Sequence, residues 1–222
     1  MQAPKKRTGP RHAAAAPPRR RLPLVLAAAG AIVALGLIVA GVLVFGRGSG
    51  TDVATTMRDA GFTYRVVEAK VGGTRHVNSL PKGFKYNTEP PTTGPHFPLT
   101  ILWGMYDSPV ERLRTVHNLE HGGLVIHYGD KVPAATIEQL RDFYQEDPNA
   151  IVIAPLPSLG NKISLAAWTF DLARLSERDY EGEGRLAIGT KFDENAFRMF
   201  RDEFRGKGPE RFAVEDLQPS GQ

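Results

Sequence analysis

The sequence predicts an α+β domain, a small and mostly antiparallel sheet with packed helices, preceded by one transmembrane helix. Three observations carry this. Residues 22–45 run for 24 positions without a charge. Beyond them, short runs of β-branched and aromatic residues read as strands, interrupted by two stretches of helical spacing. Their order lacks a regular βαβ alternation, which points to helices packed on one small sheet.

Residues 1–21 carry seven basic groups and no acid, with alanine and proline filling most of the rest. Such a segment has no apolar surface to bury and is expected to be disordered. The run LPLVLAAAGAIVALGLIVAGVLVF, residues 22–45, would span about 36 Å as a helix, against a hydrocarbon core of about 30 Å. A cleavable signal peptide has a shorter apolar region and ends in a small-x-small site. This run exits through Val44-Phe45-Gly46-Arg47, and the chain has no cysteine for a lipid anchor. An uncleaved signal anchor is the expectation. The basic tail then stays cytoplasmic, and residues 52–222, after a linker at 46–51, lie outside the cell membrane. The lipid bilayer is the partner this layout implies.

The net charge of +4 sits in that tail. Residues 1–50 hold eight basic groups and no acid, which leaves 20 basic against 24 acidic groups, a net of −4, on residues 51–222. A nucleic-acid partner is excluded on that distribution. Without cysteine the domain has no disulfide and must rest on its own core.

Thr51 is a candidate N-cap for a short helix ending near Gly61, and Phe62–Val67 reads as a strand. Residues 71–98, rich in Gly, Pro, Thr and Asn, are expected to be an ordered irregular loop. Ser108-Pro109-Val110-Glu111 has the form of a capping box, opening a helix from Pro109 to His121 with Gly122 as its stop. A strand and turn fits the same stretch. Leu124–Tyr128 is a strand, and Val132–Glu146 an amphipathic helix through Ile137, Leu140, Phe143 and Tyr144. Ile151–Ala154 and Ile163–Phe170 are two strands whose Pro/Gly/Asn connection suits a hairpin. Leu186-Ala187-Ile188 is a further short strand. Asp193 caps a last helix with Phe197, Phe200 and Phe204 on one face and Gly206 at its end.

Four histidines fall close together: His76, His96, His117 and His121. On a helix, His117 and His121 at i and i+4 share a face and can bind one ion. His96 follows Pro90-Pro91-Thr92-Thr93-Gly94-Pro95, a stretch whose prolines restrict the backbone strongly. His127, inside a strand, and His12, in the tail, stand outside this group.

Arg75-His76-Val77, Pro90-Pro91-Thr92-Thr93-Gly94-Pro95-His96, Trp103-Gly104-Met105-Tyr106 and Val116 through Gly123 resemble a bacterial family catalogued as domain of unknown function number 3105. Ala166-Ala167-Trp168 and Gly208-Pro209-Glu210 match it more weakly. The resemblance implies an N-terminal membrane anchor and an exported domain, and it implies no activity.

Two readings of the histidines stand side by side. They anchor an irregular loop as hydrogen-bonding groups, or they bind a metal, with His76, His96, His117 and His121 as ligands and Glu120 beside them. Imidazoles without thiolates favour Cu(II) or Zn(II), with Met105 as the nearby thioether. The predicted function is a membrane-anchored extracytoplasmic protein that binds metal in an accessory role. The alternatives are a metal-dependent hydrolase, in which His117-Asn118-Leu119-Glu120-His121 matches the H-x-x-E-H signature with Glu120 as base, and a purely structural interaction module. The hydrolase lacks a further ligand, for which Glu194 and Glu203 are candidates. Trp103, Tyr106 and Trp168 are expected in the core.

Overall fold

The computed structural model describes residues 52–69 and 72–219. The tail, the apolar run at 22–45 and the linker lie outside the described residues. Among the described residues, no helix is long and apolar enough to cross a membrane.

The chain is α+β. Asp52 opens helix α1 (Val53–Asp59), its carboxylate accepting from Thr55 N at 3.1 Å. Strand β1 (Thr63–Glu68) follows, then an irregular segment that reaches β2 (Gly104–Met105), helix α2 (Arg112–Glu120), β3 (Leu124–Tyr128) and helix α3 (Ala134–Glu146). The remainder is β4 (Ile151–Pro155), β5 (Ile163–Thr169), β6 (Glu183–Gly189) and helix α4 (Glu194–Phe204). The strands form one six-stranded sheet in the order β1-β6-β5-β3-β4-β2.

The sheet is mixed, with three antiparallel pairings and two parallel ones. β1/β6, β6/β5 and β5/β3 are antiparallel, whereas β3/β4 and β4/β2 are parallel. The cause is the crossover through α3, which returns the chain beside β3 in the same direction. The expected hairpin between Ile151–Ala154 and Ile163–Phe170 does not form, because β3 lies between those strands. Their connection crosses the end of β3 instead, with Leu156 N donating to Tyr128 O and Gly129 N to Lys162 O. Gly129 makes that crossing possible, since a Cβ there would collide with the Gly160 backbone.

Pleating sends alternate residues of β3 to opposite faces. Leu124, Ile126 and Tyr128 meet Met57 of α1, Leu140 and Phe143 of α3, and Phe197 and Phe200 of α4. Val125 faces the other way, into a second cluster with Val152, Ala166, Trp168 and Leu186, covered by Val116 and Leu119 of α2 and by Trp103. The histidine-bearing helix thus has one face of the sheet to itself among the described α-helices. Trp103 and Trp168 are core, as expected, and Tyr106 packs at that cluster's margin. Met105 packs against the opposite cluster.

Helix α2 starts later than its sequence suggests. Glu111 takes the N-cap in an extended conformation and its carboxylate accepts from Leu113 N at 3.1 Å, so Ser108 caps nothing here. At the far end Gly122 has φ +86° and stops the helix. Asp193 caps α4 through Ala196 N at 2.9 Å.

Candidate metal centre

Three chain segments deliver the site. The first is the loop strand at His76, which makes an isolated parallel bridge with His96. Val77 N donates to His96 O at 2.8 Å and His96 N to Arg75 O at 3.3 Å, so the two imidazoles emerge side by side. The proline-rich run carries His96, whose side chain is fully buried and lies perpendicular to the Trp168 ring, centroids 6.1 Å apart. Helix α2 carries His117 and Glu120 at i and i+3, hence on neighbouring positions of one face.

Two of the rings are held by carbonyl oxygens. His96 Nδ1 lies 2.8 Å from Gly94 O, and His117 Nδ1 lies 2.9 Å from Phe97 O. A carbonyl only accepts, so each Nδ1 carries the proton and donates it. That leaves the lone pair of the neutral ring on Nε2. Both Nε2 atoms face the same carboxylate. Glu120 Oε2 is 2.9 Å from His96 Nε2, 3.4 Å from His76 Nε2 and 3.9 Å from His117 Nε2. One ligand atom from each of His76, His96, His117 and Glu120 lies within 4.8 Å of all the others. Glu120 is 2% exposed and His76 is 43% exposed, so His76 is the ligand that meets solvent.

His121 lies apart from that group. Its ring turns to Glu210, with Nε2 to Oε2 at 3.1 Å, and stacks near Phe212 at 4.4 Å. It still touches the centre through His117, whose ring is 4.5 Å away. His117, His121 and Glu210 form a second group with ligand atoms within 4.8 Å of one another.

Burial pushes His117 below the ordinary imidazole range. Its bond to Phe97 opposes that, and the positive charges of a protonated His121, His96 or His76 would add to it. Burial lowers His121 as well, opposed by the Glu120 carboxylate. Burial thus favours the unprotonated form of both rings, the form that coordinates a metal.

Glu194 and Glu203 do not approach the centre. Glu194 pairs with Arg198 on α4, and Glu203 with Lys207 just past the helix end. Glu210 was legible in the sequence only as part of the Gly208-Pro209-Glu210 word, since nothing in spacing links it to His121. The carbonyls of Gly94 and Phe97 left no mark in the sequence at all.

Fold and site define an α+β domain that presents a largely buried histidine–carboxylate cluster whose ligand atoms lie close enough together to hold a metal ion. By sequence the chain belongs to the family described as protein of unknown function (DUF3105), whose profile matches residues 76–215. The matched stretch opens at His76 and takes in His96, His117, Glu120, His121 and Glu210. No curated protein and no solved structure matches the chain significantly.

Proposed function

We propose that the domain binds one Cu(II) or Zn(II) ion through His76, His96, His117 and Glu120, in a carrier or accessory role. In this reading residues 22–45 anchor it in the cell membrane, with the tail cytoplasmic and the domain outside. The observation that carries the proposal is the convergence of three imidazoles on one buried carboxylate oxygen. A tetrahedral ion with bonds of about 2.0–2.1 Å separates its ligand atoms by about 3.3 Å. The distances of 2.9, 3.4 and 3.9 Å bracket that value. A buried carboxylate facing ring nitrogens that carry lone pairs needs a positive charge between them, from a second ring proton or from a metal. The imidazole and carboxylate set, without thiolate, suits Cu(II) or Zn(II). Met105 points its packing to the other face of the sheet and adds no ligand.

One observation favours metal-dependent hydrolysis as a second reading. His117, His121 and Glu210 together make the three-ligand set that H-x-x-E-H chemistry requires, with Glu120 adjacent as base. Against it, the Glu120 carboxylate is turned into the buried cluster at 2.9 Å from His96. Four ligands in one group suit retention of an ion rather than an open catalytic position.

Elemental analysis of the purified full-length chain after equilibration with each metal and removal of free ion tests the proposal. One ion per chain is expected, and a chain that retains none overturns it.

A further inference from the structure

We propose that His121 and Glu210 form an outer cation station, from which a divalent ion passes to the inner cluster through the shared ligand His117. The proposal rests on the metal-binding reading above. His117 belongs to both ligand groups. Its Nδ1–H is committed to Phe97 O, so Nε2 supplies the one lone pair that either group can use. Two ions cannot share that lone pair, which makes the two positions alternatives for one ion. They are successive stops, not a two-metal centre.

The exposure of the side chains gives the direction of travel. Glu210 is 46% exposed, His121 19%, His117 8%, and His96 is fully buried. His76 of the inner cluster also meets solvent, but the Glu210 carboxylate is the exposed ligand whose negative charge draws an arriving cation. The outer position offers three ligands and the inner one four, so the ion is held more loosely at the station.

The station is built by the fold. Gly206 N donates to Gly122 O at 2.7 Å, and Glu210 N donates to Glu120 O at 3.0 Å. These bonds lay the segment 206–210 directly on the end of α2. A Cβ on Gly122 would lie 3.0–3.1 Å from the Gly206 and Gly208 backbone, and one on Gly208 would collide with Gly122 and Glu120. The two glycine-containing words, His121-Gly122-Gly123 and Gly208-Pro209-Glu210, thereby meet backbone to backbone. That contact brings Glu210 to His121.

Stopped-flow mixing of the full-length chain with Cu(II) tests this, read by quenching of tryptophan fluorescence, since Trp168 lies beside His96. Release is followed by mixing the loaded chain with a chelator. Glu210→Gln and His121→Phe are each expected to slow capture and release together, by about tenfold, as loss of a steering carboxylate and a transfer ligand requires. Unchanged rates in both variants overturn the proposal and place ion entry at His76. Faster release with unchanged capture also overturns it, because His121 and Glu210 would then be ligands of the final site. Two Cu(II) ions per wild-type chain would show independent sites and overturn it too. A wild-type chain that retains neither Cu(II) nor Zn(II) refutes the metal-binding reading itself, and this inference with it.

Discussion

His96 Nε2 stands 2.9 Å from Glu120 Oε2, in a place that water does not reach. Glu120 is the charge around which the other imidazoles collect, so its removal separates the readings of the site. Glu120→Gln keeps the shape and deletes the charge. Metal affinity, measured by competition with a chelator, is expected to fall by more than the roughly 10–100-fold that losing a group behind a ligand costs. Intact affinity with loss of a metal-dependent peptide or ester cleavage would identify Glu120 as a base and establish the hydrolase.

Binding to the folded state alone raises the melting temperature. At a free ion concentration about 100 times Kd the gain is about 2.7 kcal/mol, or roughly 5–10 °C for a domain of this size. His96→Ala and His117→Ala are each expected to abolish the shift, while His127→Phe retains it. Differential scanning calorimetry with and without Zn(II) checks this, and a shift that survives both alanine variants contradicts it.

His127 stands on the α2 face of β3, opposite Ser164 in β5, and neither of its ring nitrogens has a hydrogen-bond partner. Burial, helped by the Arg112 charge, pushes its pKa down to about 4. The unfolded chain takes up a proton near the ordinary value of about 6.5 and the folded chain does not. Stability is therefore full above about pH 6.5 and drains away as pH falls toward about 4, by about 3 kcal/mol in total. His127→Phe is expected to flatten this part of the acid profile in chelator. Urea unfolding across that pH range reads it, and a variant as acid-sensitive as wild type refutes the assignment.

Gly122 and Gly61 have nearly the same φ, +86° and +85°, but only Gly122 has backbone packed against the place a Cβ would occupy. Gly61→Ala is expected to cost about 1 kcal/mol, from the left-handed conformation alone. Gly122→Ala is expected to cost about 2 kcal/mol or more, because the 206–210 segment must also move. Equal costs in denaturant titrations would mean that the segment yields freely.

The proposed membrane topology is checked with Gln222→Cys. The chain has no cysteine of its own, so the label is unambiguous. An impermeant thiol reagent is expected to react in intact cells, and reaction only after lysis would reverse the orientation.

Helix α4 was legible from its sequence because its signals are local: Asp193 at the cap, three phenylalanines at helical spacing and Gly206 beyond the end. Strand β3 was legible for the same reason, as an apolar run before a turn. The partner of a strand is a different matter. Residues 156–162 look like a hairpin connection, yet a backbone crossing at Gly129 and Gly160 carries them past β3, and no local pattern records that. The site divides in the same way. The words around His76, His96 and His117 named candidates, whereas the orienting carbonyls of Gly94 and Phe97 carry no residue-type signature. His121 sat at helical spacing from His117, but α2 ends at Glu120, and a partner distant in sequence, Glu210, lies within its reach.

Between β1 and β2 the described chain has no helix or extended ladder, and the bridge between His76 and His96 is its one piece of β pairing. An ion held by His76 and His117 together would close a loop of about 40 residues, and a covalent cross-link of that span removes roughly 4 kcal/mol of chain entropy from the unfolded state. In a chain without cysteine, the ion would act as a removable staple. A chelator or mild acid would open it, so the order of the whole 72–103 segment would follow the supply of metal. Limited proteolysis would then report metal status from bonds that no ligand touches.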